Sequence, residues 1–200
     1  MTTGLFETVR EVSGILNDMG SPWALVGGLA VSAYVEPRFT RDIDVAVAVR
    51  DDSAAEAFVA DWQARGFQVS LVVEQDETGR LATVRTHRPG EQEGVVVDLL
   101  FASSGLEPEI AEEAHEIEII TGLAVPLARP GHLFALKLLS FDAEYRPMDL
   151  QDLRHLGAVM DDDEVGAARR GVALIEERGF HRGRDLTELL ERHLERVTPR

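Results

Sequence analysis

Apolar positions set the first elements. Phe6, Val9, Val12, Leu16 and Met19 recur at helical spacing, and Gly20 ends the pattern, which predicts a helix over 3–19. Residues 22–26 form a short apolar run, read as a strand, and a helix-compatible segment follows to Glu36. From Asp42 to Val49 the pattern alternates: Ile43, Val45, Val47 and Val49 fall on one face, and Asp42 and Asp44 on the other. Asp51, Asp52 and Ser53 supply cap chemistry for a helix over about 53–65, with Gly66 as its stop. Strands are predicted at 67–73, 81–87 and 95–101, a short acidic helix at 107–114, and a hairpin of 116–120 and 123–127 turning at Thr121-Gly122.

Beyond Ala128-Arg129-Pro130-Gly131 the pattern is helical throughout, at about 131–143, 147–160, 163–178 and 184–197. The expected fold is α+β, a mixed sheet with helices over 1–128 followed by a helical bundle over 129–200. With 44% apolar residues in 200, the chain can bury a proper core. It has no cysteine, hence no disulfide framework and no thiolate metal site. No apolar run approaches the ~20 residues of a membrane span, and no secretory leader pattern opens the chain. A soluble cytoplasmic protein with no membrane partner is the expectation.

Charge narrows the function classes. The net charge of −16 argues against a surface that coats nucleic acid. Residues 168–200 are the exception, with 8 arginines against 6 acids, so a polyanionic acceptor is expected there, at Arg169, Arg170, Arg182 and Arg184. Lys137 is the only lysine among 20 basic residues, which singles it out as a compact point charge that arginine cannot replace.

The candidate chemistry centres on Gly27-Gly28, 13 residues, then Asp42-Ile43-Asp44. Two glycines after a strand let the backbone approach a ligand, and the following helix start can turn free N–H groups toward phosphate oxygens. Two carboxylates at i and i+2 can hold a divalent metal beside such a cradle. Asp98 is the one polar residue in the strand 95–101 and is expected to be paired or metal-bound. It is the candidate third carboxylate, as metal ligand or base. Lys137 is embedded in the apolar stretch Leu133–Leu139, where it either snorkels or neutralises a buried anion. Asp149 and Asp152 share a helix face; Asp149 in the first turn fits simple capping, so Asp152 is the better candidate for chemistry. The six histidines show no metal-ligand spacing.

This combination resembles the AbiEii/AbiGii-type nucleotidyltransferase toxins of the DNA polymerase β-like superfamily. The motifs carrying the resemblance are GG(13)DID, VVDLLF, HLFALKLLS and RPMDLQDL. It implies that Gly27 and Gly28 hold a triphosphate, that Asp42 and Asp44 bind Mg²⁺, that Lys137 contacts the nucleotide, and that Asp152 completes the set. It further implies transfer of a nucleoside monophosphate from an NTP, in some relatives onto tRNA 3′ ends, and a cognate antitoxin. Two departures stand out: Gly28 where Ser is common, and Met148 where a basic residue often precedes the aspartate. The competing readings are a nucleotidyltransferase acting on a cationic small molecule such as an aminoglycoside, favoured by the acidic balance, and a nucleotide-binding interaction module without catalysis.

Overall fold

A computed structural model of the protein describes residues 2–35, 40–89, 95–142 and 147–197. Its centre is a seven-stranded mixed sheet of order β3-β4-β5-β2-β1-β7-β6, formed by β1 (Trp23–Val26), β2 (Asp42–Val47), β3 (Gln68–Glu74), β4 (Leu81–His87), β5 (Val96–Leu100), β6 (His115–Ile120) and β7 (Leu123–Leu127). Only β2–β5 and β1–β7 pair in parallel; the other neighbours are antiparallel. The helices are α1 (Thr2–Met19), α2 (Gly27–Tyr34), α3 (Asp52–Ala64), α4 (Glu107–Glu112), α5 (Pro130–Ser140), α6 (Pro147–Val159), α7 (Asp162–Glu177) and α8 (Leu186–Val197). The expected helix end at Glu36 and the break at Arg146 lie outside the described residues.

The periodicities translate directly into burial. Leu5, Val9, Val12 and Leu16 form the inner stripe of α1. Ile43, Val45 and Val47 are fully buried, whereas Asp42 and Asp44 keep partial exposure on the opposite face. Asp51 caps α3 by accepting from the Ala54 amide at 2.9 Å. Strands end at Leu127, but one apolar cluster continues from Leu5 through Leu133, Phe134 and Leu138 of α5 to Leu194 of α8. The helical part therefore shares the core of the sheet.

An ionic knot fixes where α5 starts, and so where Lys137 sits. Arg129, just before the helix, donates to Glu164 Oε1 at 3.1 Å and Glu113 Oε2 at 3.0 Å, and also pairs with Asp163. Glu164, at the start of α7, accepts from the Gly131 amide at 2.7 Å as well. In that first turn of α5, His132 is 3% exposed, and burial pushes its pKa down to about 4. Glu113 and Glu109 act against the shift, and Arg129 and Arg170 with it.

A folded-state pKa below the ordinary 6.5 means the unfolded chain binds this proton first. Stability should therefore fall as pH drops from about 6.5 toward 4, by about 3 kcal/mol from this group. Urea denaturation of His132→Gln against wild type at pH 7 and pH 4.5 checks it. The acid-side loss should be visibly smaller in the variant; parallel losses would remove His132 from the account.

Candidate active site

The DID strand and its neighbours build the floor of one cleft. Cross-strand register places Asp44 beside Asp98, and Asp98 beside Arg85. Directly paired residues share a face, so Val26, Asp44, Asp98 and Arg85 form one transverse row over β1, β2, β5 and β4. Asp42 lies two residues before Asp44 on that same face.

Asp98 is 6% exposed, and both its oxygens accept from Arg85, Oδ1 from Nε at 2.9 Å and Oδ2 from Nη2 at 2.7 Å. That bidentate bond holds the Arg85 guanidinium firmly in its charged form. The expected partner of the lone strand aspartate is thus a side chain from the neighbouring strand. Asp44 has no such relief. Burial, then the charges of Asp98 and Asp42, push its pKa up to about 6, against the opposing pull of Lys137 and Arg85.

Gly27 begins α2 at φ 66°, where a β-carbon is disfavoured. A β-carbon there would also stand 1.9 Å from Asp44 Oδ2. The backbone therefore rests against the carboxylate, and Gly27 and Gly28 at the α2 start line the same cleft as Asp42 and Asp44, at the end of the helix where N–H groups lack intrahelical acceptors. Gly27→Ala should push Asp44 aside, lowering the melting temperature by several degrees and activity by at least tenfold. A thermal melt with a turnover assay checks both; an unchanged variant would mean that the close approach is dispensable.

The opposite wall comes from the helices. Lys137 Nζ lies 2.9 Å from Asp149 Oδ1 and 2.8 Å from Asp152 Oδ2, both aspartates being almost fully buried on α6. Ser140 Oγ donates to Asp149 Oδ2 at 2.9 Å. Asp149, which fits capping by its position in the first turn, thus makes the same contact as Asp152, and it is Asp149 that lines the cleft.

Of the C-terminal arginines, Arg182 lines the cleft too, with Nη2 donating to the Ser103 carbonyl at 3.4 Å. Arg169 is bound to Glu191, and Arg184 donates to the Leu139 carbonyl. Arg182 sits at φ 55°, a costly conformation for a side chain other than glycine. Its turn is anchored by the Phe180 ring, packed where a β-carbon on Gly105 would clash, and by Arg178 on Glu109.

The resulting cleft measures about 500 Å³ and joins Gly27, Gly28, Asp42, Asp44, Asp98, Arg85, Lys137, Asp149 and Arg182. Asp152 sits behind Lys137 and is not among the lining residues. Among the described residues no three carboxylates or histidines form a ready-made metal cluster. Arg85 and Asp149 are the site residues the sequence left unassigned. Arg85 was legible as a charge in an alternating strand, but its partner depends on register across an intervening loop.

No described helix is long and apolar enough to cross a membrane. Comparison with curated protein sequences gives no match. Among solved structures, the chain is similar to the lincosamide antibiotic adenylyltransferase LnuA in its lincomycin-bound form, at 13% identity over 77% of this chain and 97% of that one, TM-score 0.49. It is similar to the antibiotic-resistance factor ANT(2'')-Ia at 16% identity over 98% and 100%, TM-score 0.48. MenT4, a nucleotidyltransferase toxin from Mycobacterium tuberculosis, shares 14% identity over 90% of this chain and 86% of its own, TM-score 0.36. The family described as nucleotidyl transferase AbiEii toxin, type IV toxin–antitoxin system, matches residues 15–199. With nearly its whole length inside that match, the chain belongs to the AbiEii toxin family and is a nucleotidyltransferase.

Proposed function

We propose that the protein transfers a nucleoside monophosphate from an NTP to tRNA, with Mg²⁺, as the toxin of a toxin–antitoxin pair. The observation that carries this reading is the facing of Asp42, Asp44 and Asp98 with the start of α2 and Lys137 across one cleft. The family implies a cognate antitoxin, and a cytoplasmic location goes with the proposed NTP and tRNA substrates.

Asp42 and Asp44 suit Mg²⁺. Their charges accumulate without a side-chain cation of their own strand, and Mg²⁺ on NTP sites needs only one or two carboxylates beside phosphate oxygens and water. When bound, the metal supplies charge neutralisation at the phosphates. The α2 amides at Gly27 and Gly28 cradle phosphate oxygens, and Lys137 and Arg182 offset their charge from the helical side. Asp98, held by Arg85, keeps a second lone pair on each oxygen and takes the proton of the attacking hydroxyl. The acceptor oxygen bonds to the α-phosphorus, and the bond to pyrophosphate breaks.

The test is incubation with each α-labelled NTP and total tRNA, with Mg²⁺ and with EDTA. Mg²⁺-dependent label on tRNA is the expected result. Label only on a cationic small molecule would transfer the assignment to the alternative acceptor class. NTP binding without any transfer would point to a non-catalytic module. Arg182→Ala should weaken NTP binding in calorimetry by about tenfold while leaving the fold intact, since the residue is exposed; unchanged binding would detach it from the phosphates.

A further inference from the structure

The strand that carries Asp98 leaves the sheet into a turn that forms one end of the cleft. Ser103 and Ser104 of that turn are lining residues. One buried side chain holds the turn from within. Glu107, the first residue of α4, is 1% exposed. Its Oε1 accepts from the Ser103 amide at 2.9 Å, the Ser104 amide at 2.8 Å and Ser104 Oγ at 3.0 Å. Three donors thus converge on one oxygen, while Oε2 is buried without a hydrogen-bond partner among the described residues.

A buried carboxylate with an unpaired oxygen is costly, and a neutral serine or asparagine can accept from backbone amides without that cost. What the charge adds is strength, because hydrogen bonds to an ionised acceptor are about twice as strong as neutral ones. The turn is therefore held more firmly than the start of a short helix requires.

The turn between α7 and α8 grips the same segment from outside. Arg178 donates to the Gly105 carbonyl and pairs with Glu109 of α4 at 2.6 Å. The Phe180 ring packs against Gly105. Arg182, at φ 55°, donates to the Ser103 carbonyl. A backbone in that region persists only where its surroundings hold it. Glu107 fixes Ser103 by its amide, and Arg182 leans on the carbonyl of the same residue.

We propose that Glu107 is a positioning residue for nucleotide transfer: by locking the Ser103–Ser104 turn, it sets the place of Arg182 in the cleft. The proposal rests on the reading of Arg182 as a phosphate contact and adds the group that aims it. Glu107 itself is not among the lining residues, so it acts through Ser103 and the arginine.

The experiment is a double-mutant cycle of Glu107→Leu and Arg182→Ala, read as NTP affinity in calorimetry. Glu107→Leu should weaken binding about fivefold, less than the tenfold expected of Arg182→Ala itself. It should raise the KM for NTP with a smaller change in kcat, because Asp42, Asp44 and Asp98 keep their places. Glu107→Gln, which retains one acceptor oxygen, should recover most of the affinity. In the Arg182→Ala background, Glu107→Leu should cause no further loss. Glu107→Asp, too short to bring one oxygen to both amides, gives the same comparison if the leucine variant does not fold. Equal loss in both backgrounds, or no loss in either, overturns the positioning role while leaving Arg182 on the phosphates. Unchanged NTP affinity in Arg182→Ala alone overturns both.

Discussion

Asp44→Asn is expected to abolish nucleotide transfer and at the same time raise the melting temperature of the metal-free protein. The two effects have one cause. Asp44 is packed under Gly27, beside Asp42 and Asp98, and its pKa is pushed up to about 6, largest by burial and then by those two charges. A folded-state value above the ordinary 3.8 means that ionised Asp44 costs stability above about pH 6, and that the cost disappears below about pH 4. The cleft admits water to Asp44, so the relief from Asn is on the order of 2 kcal/mol at neutral pH, or several degrees in a chain of 200 residues. Transfer should fall by ~10²-fold or more, because the site loses one of the two carboxylates proposed to hold Mg²⁺ beside the reacting phosphate. Melts in EDTA and in Mg²⁺ separate the contributions: Mg²⁺ should stabilise wild type and do little for the variant. A variant that melts no higher than wild type in EDTA, or that keeps its turnover, would refute this account of the carboxylate row.

That row also shows how far the sequence could be read. Alternation in DIDVAV fixes which residues are buried, because a strand has only two faces, and the structure buries Ile43, Val45 and Val47 accordingly. Helical spacing likewise exposed the α1 stripe and the α5 run. Register is another matter. Asp98 needed a partner, but the identity of Arg85 depends on how β4 aligns with β5, which local pattern does not encode. Asp149 was concealed by a competing rule: an acid in the first helical turn is already explained by the helix dipole. Only packing of α6 on α5 brings it to Lys137. The charge count in residues 168–200 located a basic segment but not its internal pairings, so Arg169 and Arg182 looked alike although one is bound to Glu191 and the other lines the cleft.

Lys137 should prove indispensable twice over, and the two roles can be pulled apart. Its ammonium is held between Asp149 and Asp152, whose side chains are 5% and 2% exposed. Lys137→Met leaves both carboxylates buried without that counter-ion, a loss of about 3–5 kcal/mol in the range measured for broken buried pairs. Lys137→Arg keeps the charge, but a planar fork cannot occupy a seat shaped for a compact ammonium, so transfer should fall at least tenfold with a smaller loss of stability. The decisive variant is Lys137→Met/Asp149→Asn/Asp152→Asn. Removing the carboxylate charges together with the lysine should restore much of the melting temperature. Transfer should stay lost, because the cation proposed to offset the triphosphate charge is still missing. NTP affinity by calorimetry, read beside the melts, should be weak in the triple variant and normal in wild type. If the triple variant regains transfer along with its fold, Lys137 is only the counter-ion of two buried aspartates, and the phosphate charge is met by Arg182 and the α2 amides alone.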